Sequence, residues 1–475
     1  MRVVQFGEGN FLRAFVDWMF DQLNRRGLFN GRVRIVQPLP TGLVEALNEQ
    51  DGLYTVMLRG LLNGRPVEQT HLITSVAGGL NPYSDWRGFL ALAANPDLRF
   101  VVSNTTEAGI AYVAEPMPTD KCPESFPAKV TMFLFERYRR LGGMAQSGLL
   151  ILPCELIEAN GERLKECVLR HAESWRLEPS FRRWLDEHIR FLNTLVDRIV
   201  PGFPREEAER IFADLGYEDR LLTTGEPFHL WVIQGPAELS AELPFDRIGL
   251  NVVWTDDLAP FRTRKVRLLN GGHTSSALAA FLAGCDTVGE MMQDDLAERF
   301  LRRAVGDEIL PVLKMESAAT AEFARAVFER FRNPFIRHRL LDIALNSVSK
   351  WRVRVLPSLE DYFRQQGELP NALTFSLAAL LRFYRPARIE AETYWGDRDG
   401  QPYPLRDDPS VLRSLAGAWR KAGESGVEEM VATILADAEL WGRDLREVPG
   451  LADAVARDLR AICERGMRPA LQAIL

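Results

Sequence analysis

The sequence predicts an α/β fold: a parallel sheet with crossover helices in its first half and a mainly α-helical second half. Two observations predict it. Over the first ~160 residues, short β-branched runs alternate with helical stretches, the rhythm of strand–helix–strand units. Beyond Asp257 the apolar residues recur almost only at helical spacing, interrupted by short breaks such as Asn333-Pro334 and Leu356-Pro357.

In chain order, the candidate strands of the first half are Val3–Phe6, Val33–Val36, Phe100–Ser103 and residues 149–152. Between the second and third, residues 54–60 and 66–73 flank Asn63-Gly64, a strong two-residue turn signal, and read as an inserted hairpin. Helical periodicity takes over after residue 160, and one late strand near 248–254 is expected to return to the sheet. The expected domains are 1–257 and 258–475, with the segment 186–236 compatible with either.

The 475 residues suffice for two separate cores. The formal net charge of -7 argues against a nucleic-acid partner, because phosphate binding wants a basic surface. No apolar run approaches the ~18 residues that span a bilayer, and Met1-Arg2 leads straight into Val3-Val4-Gln5-Phe6 rather than into a signal peptide. Cys122, Cys154, Cys167, Cys285 and Cys463 are odd in number, scattered, and form no Cys-x-x-Cys pair. That pattern belongs to a reduced compartment, so the expected location is the cytoplasm. Nothing in the composition fixes an oligomeric state, and a monomer is allowed.

The first strand runs into Gly7-Glu8-Gly9-Asn10-Phe11-Leu12 and then a helix. Gly7 permits a tight turn, and Gly9 lets backbone approach a pyrophosphate at a helix N-terminus, where free N–H groups favour anions. Alone the motif is weak, since Leu12 stands where a third glycine is usual; its place between first strand and first helix makes the domain Rossmann-like. The second strand should end on an acid for the adenosine ribose of NAD, or an arginine for the 2′-phosphate of NADP. Gln37-Pro38 is neither; glutamine can still bond a ribose hydroxyl, so NAD is modestly favoured. The loop Asn104-Thr105-Thr106-Glu107-Ala108-Gly109 follows the third strand, where the nicotinamide should rest. Thr105 and Thr106 are therefore cofactor candidates, although Thr106 suits a helix cap equally well.

Standard dehydrogenase solutions are missing. The six histidines do not cluster with cysteine as zinc ligands, and no tyrosine has a lysine four residues on. What does appear is Lys265-Val266-Arg267-Leu268-Leu269-Asn270-Gly271-Gly272-His273. At about 100° per residue, His273 lies ~80° and Asn270 ~140° around a helix from Lys265, so all three can face one cleft. Gly271-Gly272 is poor helix chemistry unless a ligand or second backbone needs the room. Lys265 can serve as general acid–base, Asn270 can donate an N–H to the reacting oxygen, and His273 can orient a neighbouring hydroxyl. A surface lysine, a capping asparagine and a half-buried histidine explain the same letters.

The segment 264–274 resembles the catalytic signature of the polyol-specific long-chain dehydrogenases, the mannitol dehydrogenase family. Residues 5–15 (Gln5 to Phe15), residues 193–202 (Asn193 to Gly202), Asn333-Pro334-Phe335-Ile336 and Leu341-Asp342-Ile343-Ala344-Leu345-Asn346-Ser347 are similar to a branch of that family acting on keto-hexuronates. The matches run in one order from residue 5 to about 408. The resemblance implies NAD-dependent, metal-independent, reversible reduction of tagaturonate to altronate. It implies Lys265 as acid–base, and Asn270 together with Asn160 as the groups polarising the carbonyl. Fructuronate or a neutral hexitol is the alternative substrate, and a nucleotide sensor without turnover the alternative class. Two departures bear on the substrate. Mannitol-type members carry an arginine eight residues before a substrate-binding lysine; here Asp342 precedes Lys350. Their acid after Asn-Pro-x-Ile-x is His338, flanked by Arg337 and Arg339. Basic residues here suit a substrate carboxylate, so His338, Lys350 and Arg337 are the substrate-binding candidates; Arg337 and Arg339 also suit a solvated face.

Overall fold

A computed structural model of the protein describes residues 1–106, 108–315 and 317–475. The chain forms two units, Met1–Phe261 and Arg262–Leu475. The first unit's strands are β1 (Val3–Phe6), β2 (Val33–Val36), β3 (Tyr54–Leu62), β4 (Arg65–Ile73), β5 (Val76–Leu80) and β6 (Phe100–Ser103). They continue with β7 (Leu149–Pro153), β8 (Ile189–Phe191), β9 (Thr194–Asp197), β10 (Thr223–Gly225), β11 (Leu230–Gln234) and β12 (Val252–Thr255).

The main sheet has the order β5-β2-β1-β6-β7-β8, with every pairing parallel. The chain steps outward from β1 through β2 to β5, returns to β6 beside β1, and steps outward again through β7 to β8. This is the doubly wound order, whose switch point lies at the carboxyl ends of β1 and β6. Both sheet faces are covered, because alternate residues point to opposite sides. Val3, Ile35, Phe100, Val102 and Leu150 join one core with Phe15, Met19 and Phe20 from the helical run after β1. Val4, Phe6, Val36, Val101 and Ile151 join the other with Phe133 of the helix Phe126–Leu141 and Leu164 of the helix Asn160–Ser174.

The hairpin forms as the turn signal implies. Leu62 pairs with Arg65, leaving Asn63 and Gly64 as a two-residue loop with positive φ at both (52° and 73°). The late strand is a correction: β12 does not rejoin the main sheet. The place beside β7 is taken by β8, and β12 pairs with β11 in a separate sheet of order β12-β11-β9. β5 escaped the sequence reading because Gly78 and Gly79 dilute its β character; a Cβ on Gly79 would lie 2.8 Å from Val44 Cγ2, so packing demands the glycine.

In the second unit the helix Gly271–Leu282 is buried at every residue, the position of an element surrounded on all sides. Helices Asn371–Phe383, Ser347–Arg354 and Asp295–Arg302 pack around it. The unit is not wholly helical. β13 (Arg388–Glu390), β14 (Thr393–Arg398) and β15 (Gln401–Leu405) form an antiparallel meander turning at Asp399-Gly400, both at positive φ. This too is a two-residue turn signal, flanked by the β-forming Tyr394, Trp395 and Tyr403. Among the described residues, no helix is long and apolar enough to cross a membrane.

Candidate active and dinucleotide sites

Gly7 adopts φ 121°, a backbone conformation that L side chains rarely adopt and that glycine takes without strain. Its N–H donates to Val36 O (3.0 Å), and a Cβ here would lie 3.0 Å from Asn104 O. Asn104 in turn donates its N–H to Phe6 O (3.1 Å), so the loops after β1 and β6 meet at the switch point. Gly9 differs: a Cβ on it would meet nothing within 4 Å, and the helical run that starts at Asn10 has no side-chain cap. That open cradle before uncapped helical N–H groups fits the pyrophosphate of a dinucleotide. Asn10 and Phe11 are tied to the protein. Asn10 Oδ1 accepts from Arg13 Nη2 (2.7 Å), and Phe11 stacks on Phe15 with ring centroids 5.0 Å apart.

Gln37 is buried and committed to the loop that follows β2. Its amide N–H₂ donates to Leu39 O (2.8 Å) and Pro40 O (3.1 Å), and its carbonyl accepts from Val44 N–H (3.3 Å). Thr105 donates both its N–H (2.9 Å) and its hydroxyl (3.0 Å) to Glu155 Oε1, while Ser103 donates to Oε2 (3.0 Å). Glu155 thus grips the end of β6 and the loop that follows it. Burial raises its carboxyl pKa, with the hydrogen bonds pulling the other way. Sequence reasoning passed over Glu155, although an acid directly after β7 at the sheet's carboxyl edge was a readable signal. Thr106 is exposed at φ 136° and caps no helix; the next helix starts at Phe126 and is capped by Ser125. Glu107 lies outside the described residues.

Asn160, to which the resemblance gives a carbonyl-polarising role, is held here by backbone groups. It is buried, and its amide N–H₂ donates to Pro153 O, Glu155 O and Thr194 O (3.0–3.1 Å). Its carbonyl accepts from the N–H groups of Gly161 and Thr194, both at 2.9 Å. The side chain is saturated by backbone and fastens the loop after β7 to β9. No N–H is left for a substrate oxygen.

In the second unit, Lys265–Asn270 forms a π-helical segment that continues into Gly271–Leu282. With i→i+5 bonding each turn takes more residues than in an α-helix, so Lys265 and Asn270 come closer in phase than an α-helical wheel suggests. Such segments mark functional positions often enough to be informative. Lys265 and Asn270 are half-buried, and the Asn270 amide has no hydrogen bond among the described residues. The two glycines provide room for neighbours: a Cβ on Gly271 would lie 3.1 Å from Arg354 O, and one on Gly272 3.0 Å from Val305 Cγ2.

His273 is buried and stacks on Phe331, centroids 3.9 Å apart. Burial holds its imidazole well below the ordinary pKa, with the positive surroundings of His338, Arg330 and Arg354 acting in the same direction. Burial also lowers His338; Asp342 opposes that shift and Lys350 adds to it. Lys350 is lowered by burial and by Arg354, with Asp407 opposing, and its Nζ donates to Ile343 O (3.1 Å). His273, His338, Lys350, Arg330 and Arg354 therefore share one electrostatic neighbourhood. Arg330 and Arg354 were missed, although Arg354 follows Lys350 at i+4 on one helix and was legible by spacing. Arg337 is not brought into this group. It lines a separate cavity of about 470 Å³ with Arg339, Arg398 and Thr287, because the extended segment 337–339 turns alternate side chains to opposite sides. Among the described residues, no three His, Cys, Asp or Glu side chains are grouped to hold a metal ion.

Comparison with known proteins agrees with this architecture. Residues 1–247 match the mannitol dehydrogenase Rossmann domain and 257–463 the mannitol dehydrogenase C-terminal domain. The altronate oxidoreductase of Yersinia enterocolitica is 47% identical over 475 residues, 99% of this chain and 96% of that protein. That of Halalkalibacterium halodurans is 46% identical over 477 residues, 100% of this chain and 93% of its own. In fold, the chain is similar to a D-sorbitol dehydrogenase in substrate-free form (TM-score 0.80, 21% identity, covering 99% and 95% of the two chains). It is also similar to Pseudomonas fluorescens mannitol 2-dehydrogenase in ternary complex with NAD and D-mannitol (TM-score 0.68, 20% identity, covering 100% and 94%). With both domains matched in order and relatives near half identity over almost its whole length, this chain belongs to the mannitol dehydrogenase family.

Proposed function

We propose that this protein is an NAD-dependent oxidoreductase that interconverts D-tagaturonate and D-altronate. The observation that carries the substrate class is the cationic neighbourhood of His273, in which Lys350, Arg330 and Arg354 converge. A neutral polyol has no use for so much converging positive charge, whereas a uronate carboxylate gains charge-assisted hydrogen bonds from it. The relatives named altronate oxidoreductase support the same choice.

Bound NADH supplies the hydride that reduces the substrate ketone. Lys265 delivers the proton that the carbonyl oxygen takes up, and recovers it in the reverse direction. Asn270, whose amide is uncommitted among the described residues, donates an N–H to that oxygen as it gains charge. His273, kept neutral by burial, orients a neighbouring hydroxyl as donor or acceptor. Following NADH absorbance with tagaturonate, fructuronate, tagatose and fructose tests the reading. Tagaturonate is expected to give the highest kcat/KM. A higher value for fructuronate would move the protein to the sister activity, and no NADH consumption with any of the four would overturn the enzymatic reading.

A further inference from the structure

The strand that should present an acid to the adenosine ribose does not. β2 is followed by Gln37-Pro38, and the Gln37 amide is spent on Leu39 O, Pro40 O and Val44 N. The loop after β2 instead folds back onto the first glycine turn. There Glu8 Oε1 accepts the Leu43 N–H (3.4 Å), and a Cβ added to Gly42 would overlap the same oxygen. The other oxygen, Oε2, is buried and has no hydrogen-bond partner. Arg13 acts on the Glu8 carboxyl through its charge without a side-chain hydrogen bond to it: its Nε donates to the Glu8 backbone carbonyl (3.0 Å), and Nη1 and Nη2 donate to Leu221 O and Asn10 Oδ1. A carboxylate oxygen withdrawn from water and left unpaired costs free energy that a bound donor would recover. A cavity of about 910 Å³ adjoins the loop, lined by Gln37, Thr41, Gly42, Asn81 and Arg34.

We infer that the Glu8 carboxylate is the acceptor that reads the adenosine ribose, standing in for an acid at the end of β2, and that it selects NAD over its 2′-phosphorylated form. This rests on the dinucleotide reading above. Ribose hydroxyls are donors that satisfy the orphaned oxygen. A 2′-phosphate replaces one donor with up to two negative charges beside the carboxylate, so discrimination arises by repulsion as well as by attraction. Arg34, the arginine that lines the same cavity, donates Nη1 to Ala77 O (2.7 Å).

The test is equilibrium binding without substrate: fluorescence titration of NADH and NADPH into wild-type protein and Glu8→Gln, with thermal melts of the unliganded forms. Wild type should bind NADH more tightly. Glu8→Gln should raise the Kd for NADH about ten- to hundredfold and leave that for NADPH unchanged or lower, so the preference shrinks at least about tenfold. Burial raises the Glu8 pKa, so the neutral variant should melt no lower than wild type. Glu8→Asp keeps the charge and should keep the discrimination against NADPH while weakening NADH. An unchanged preference in Glu8→Gln, or its loss in Glu8→Asp, overturns the inference and leaves the proposed function standing. A wild-type protein that binds neither dinucleotide overturns both.

Discussion

The imidazole rings of His273 and His338 meet edge to face, with centroids 5.2 Å apart and planes at 80°. Phe331 covers a face of the His273 ring, and burial keeps both rings below the ordinary imidazole pKa. Each charge would repel the other, so at neutral pH the positive character of the site comes from Lys350, Arg330 and Arg354. His338 then serves as a neutral partner that acidification can charge.

The carboxylate should therefore be read by Lys350. Lys350→Gln is expected to raise the KM for tagaturonate about ten- to hundredfold, with kcat within a few-fold and kcat/KM for fructose unchanged. Steady-state kinetics on both substrates decides it; equal losses on the two would mean Lys350 does not distinguish the uronate.

Acidification gives a signed prediction for His338. Its pKa is lowered from 6.5, so protons bind only as the pH falls below that value, and each protonated ring adds a positive partner. The KM for tagaturonate should decrease from pH 7 towards pH 5.5. His338→Gln should flatten that trend, and a wild-type KM that rises on acidification would contradict it.

Lys265→Ala should lower kcat by about 10²–10⁴ while leaving the Kd for NADH within a few-fold. Fluorescence titration and turnover measured on one preparation separate the two. A variant retaining a tenth of wild-type turnover across the pH range would remove Lys265 from the proton-transfer role.

Asn160 and Asn270 should part company. Asn160→Ala leaves buried backbone groups of Pro153, Thr194 and Gly161 without their partner and should cost about 2–4 kcal/mol of stability in urea unfolding. Asn270→Ala should unfold as wild type does and lose kcat by about 10²-fold or more. The reverse pattern would restore the catalytic role to Asn160.

His229 links stability to pH. Burial, reinforced by Arg198, lowers its pKa from 6.5 to about 3, while its Nε2 accepts the Asn251 N–H (3.0 Å) and Pro227 O lies 3.1 Å from Nδ1. Below pH 6.5 the unfolded chain binds a proton that the folded one refuses, so this residue's contribution to stability is lost as pH falls towards 3. The stability difference between wild type and His229→Gln should shift against wild type by about 1.4 kcal/mol per pH unit below pH 6. Urea unfolding at pH 7, 6 and 5 measures it, and a constant difference would rule it out.

The sequence by itself determined the features whose causes are local. Alternating β-branched runs set the strands at the centre of the sheet, Gly7 and Gly9 shaped the turn, and Asn63-Gly64 closed the hairpin, because strand propensity and turn chemistry act between near neighbours. That Lys265, Asn270 and His273 sit together was legible for the same reason: they lie within nine residues of one helical run. Tertiary structure decided which polar groups remain available for chemistry. Asn160 looks free in the sequence, yet Thr194 on β9, thirty-four residues away, both donates to and accepts from its amide, while Glu155 is engaged by Ser103 and Thr105 about fifty residues earlier. His338 and Arg337 are adjacent letters, yet one joins His273 and the other lines a separate cavity. Glu8 Oε2 is orphaned because the loop carrying Gly42 and Leu43 closes over it. A hydrogen bond is satisfied by whichever group folding brings within about 3 Å, and that partner is not written beside the residue it satisfies.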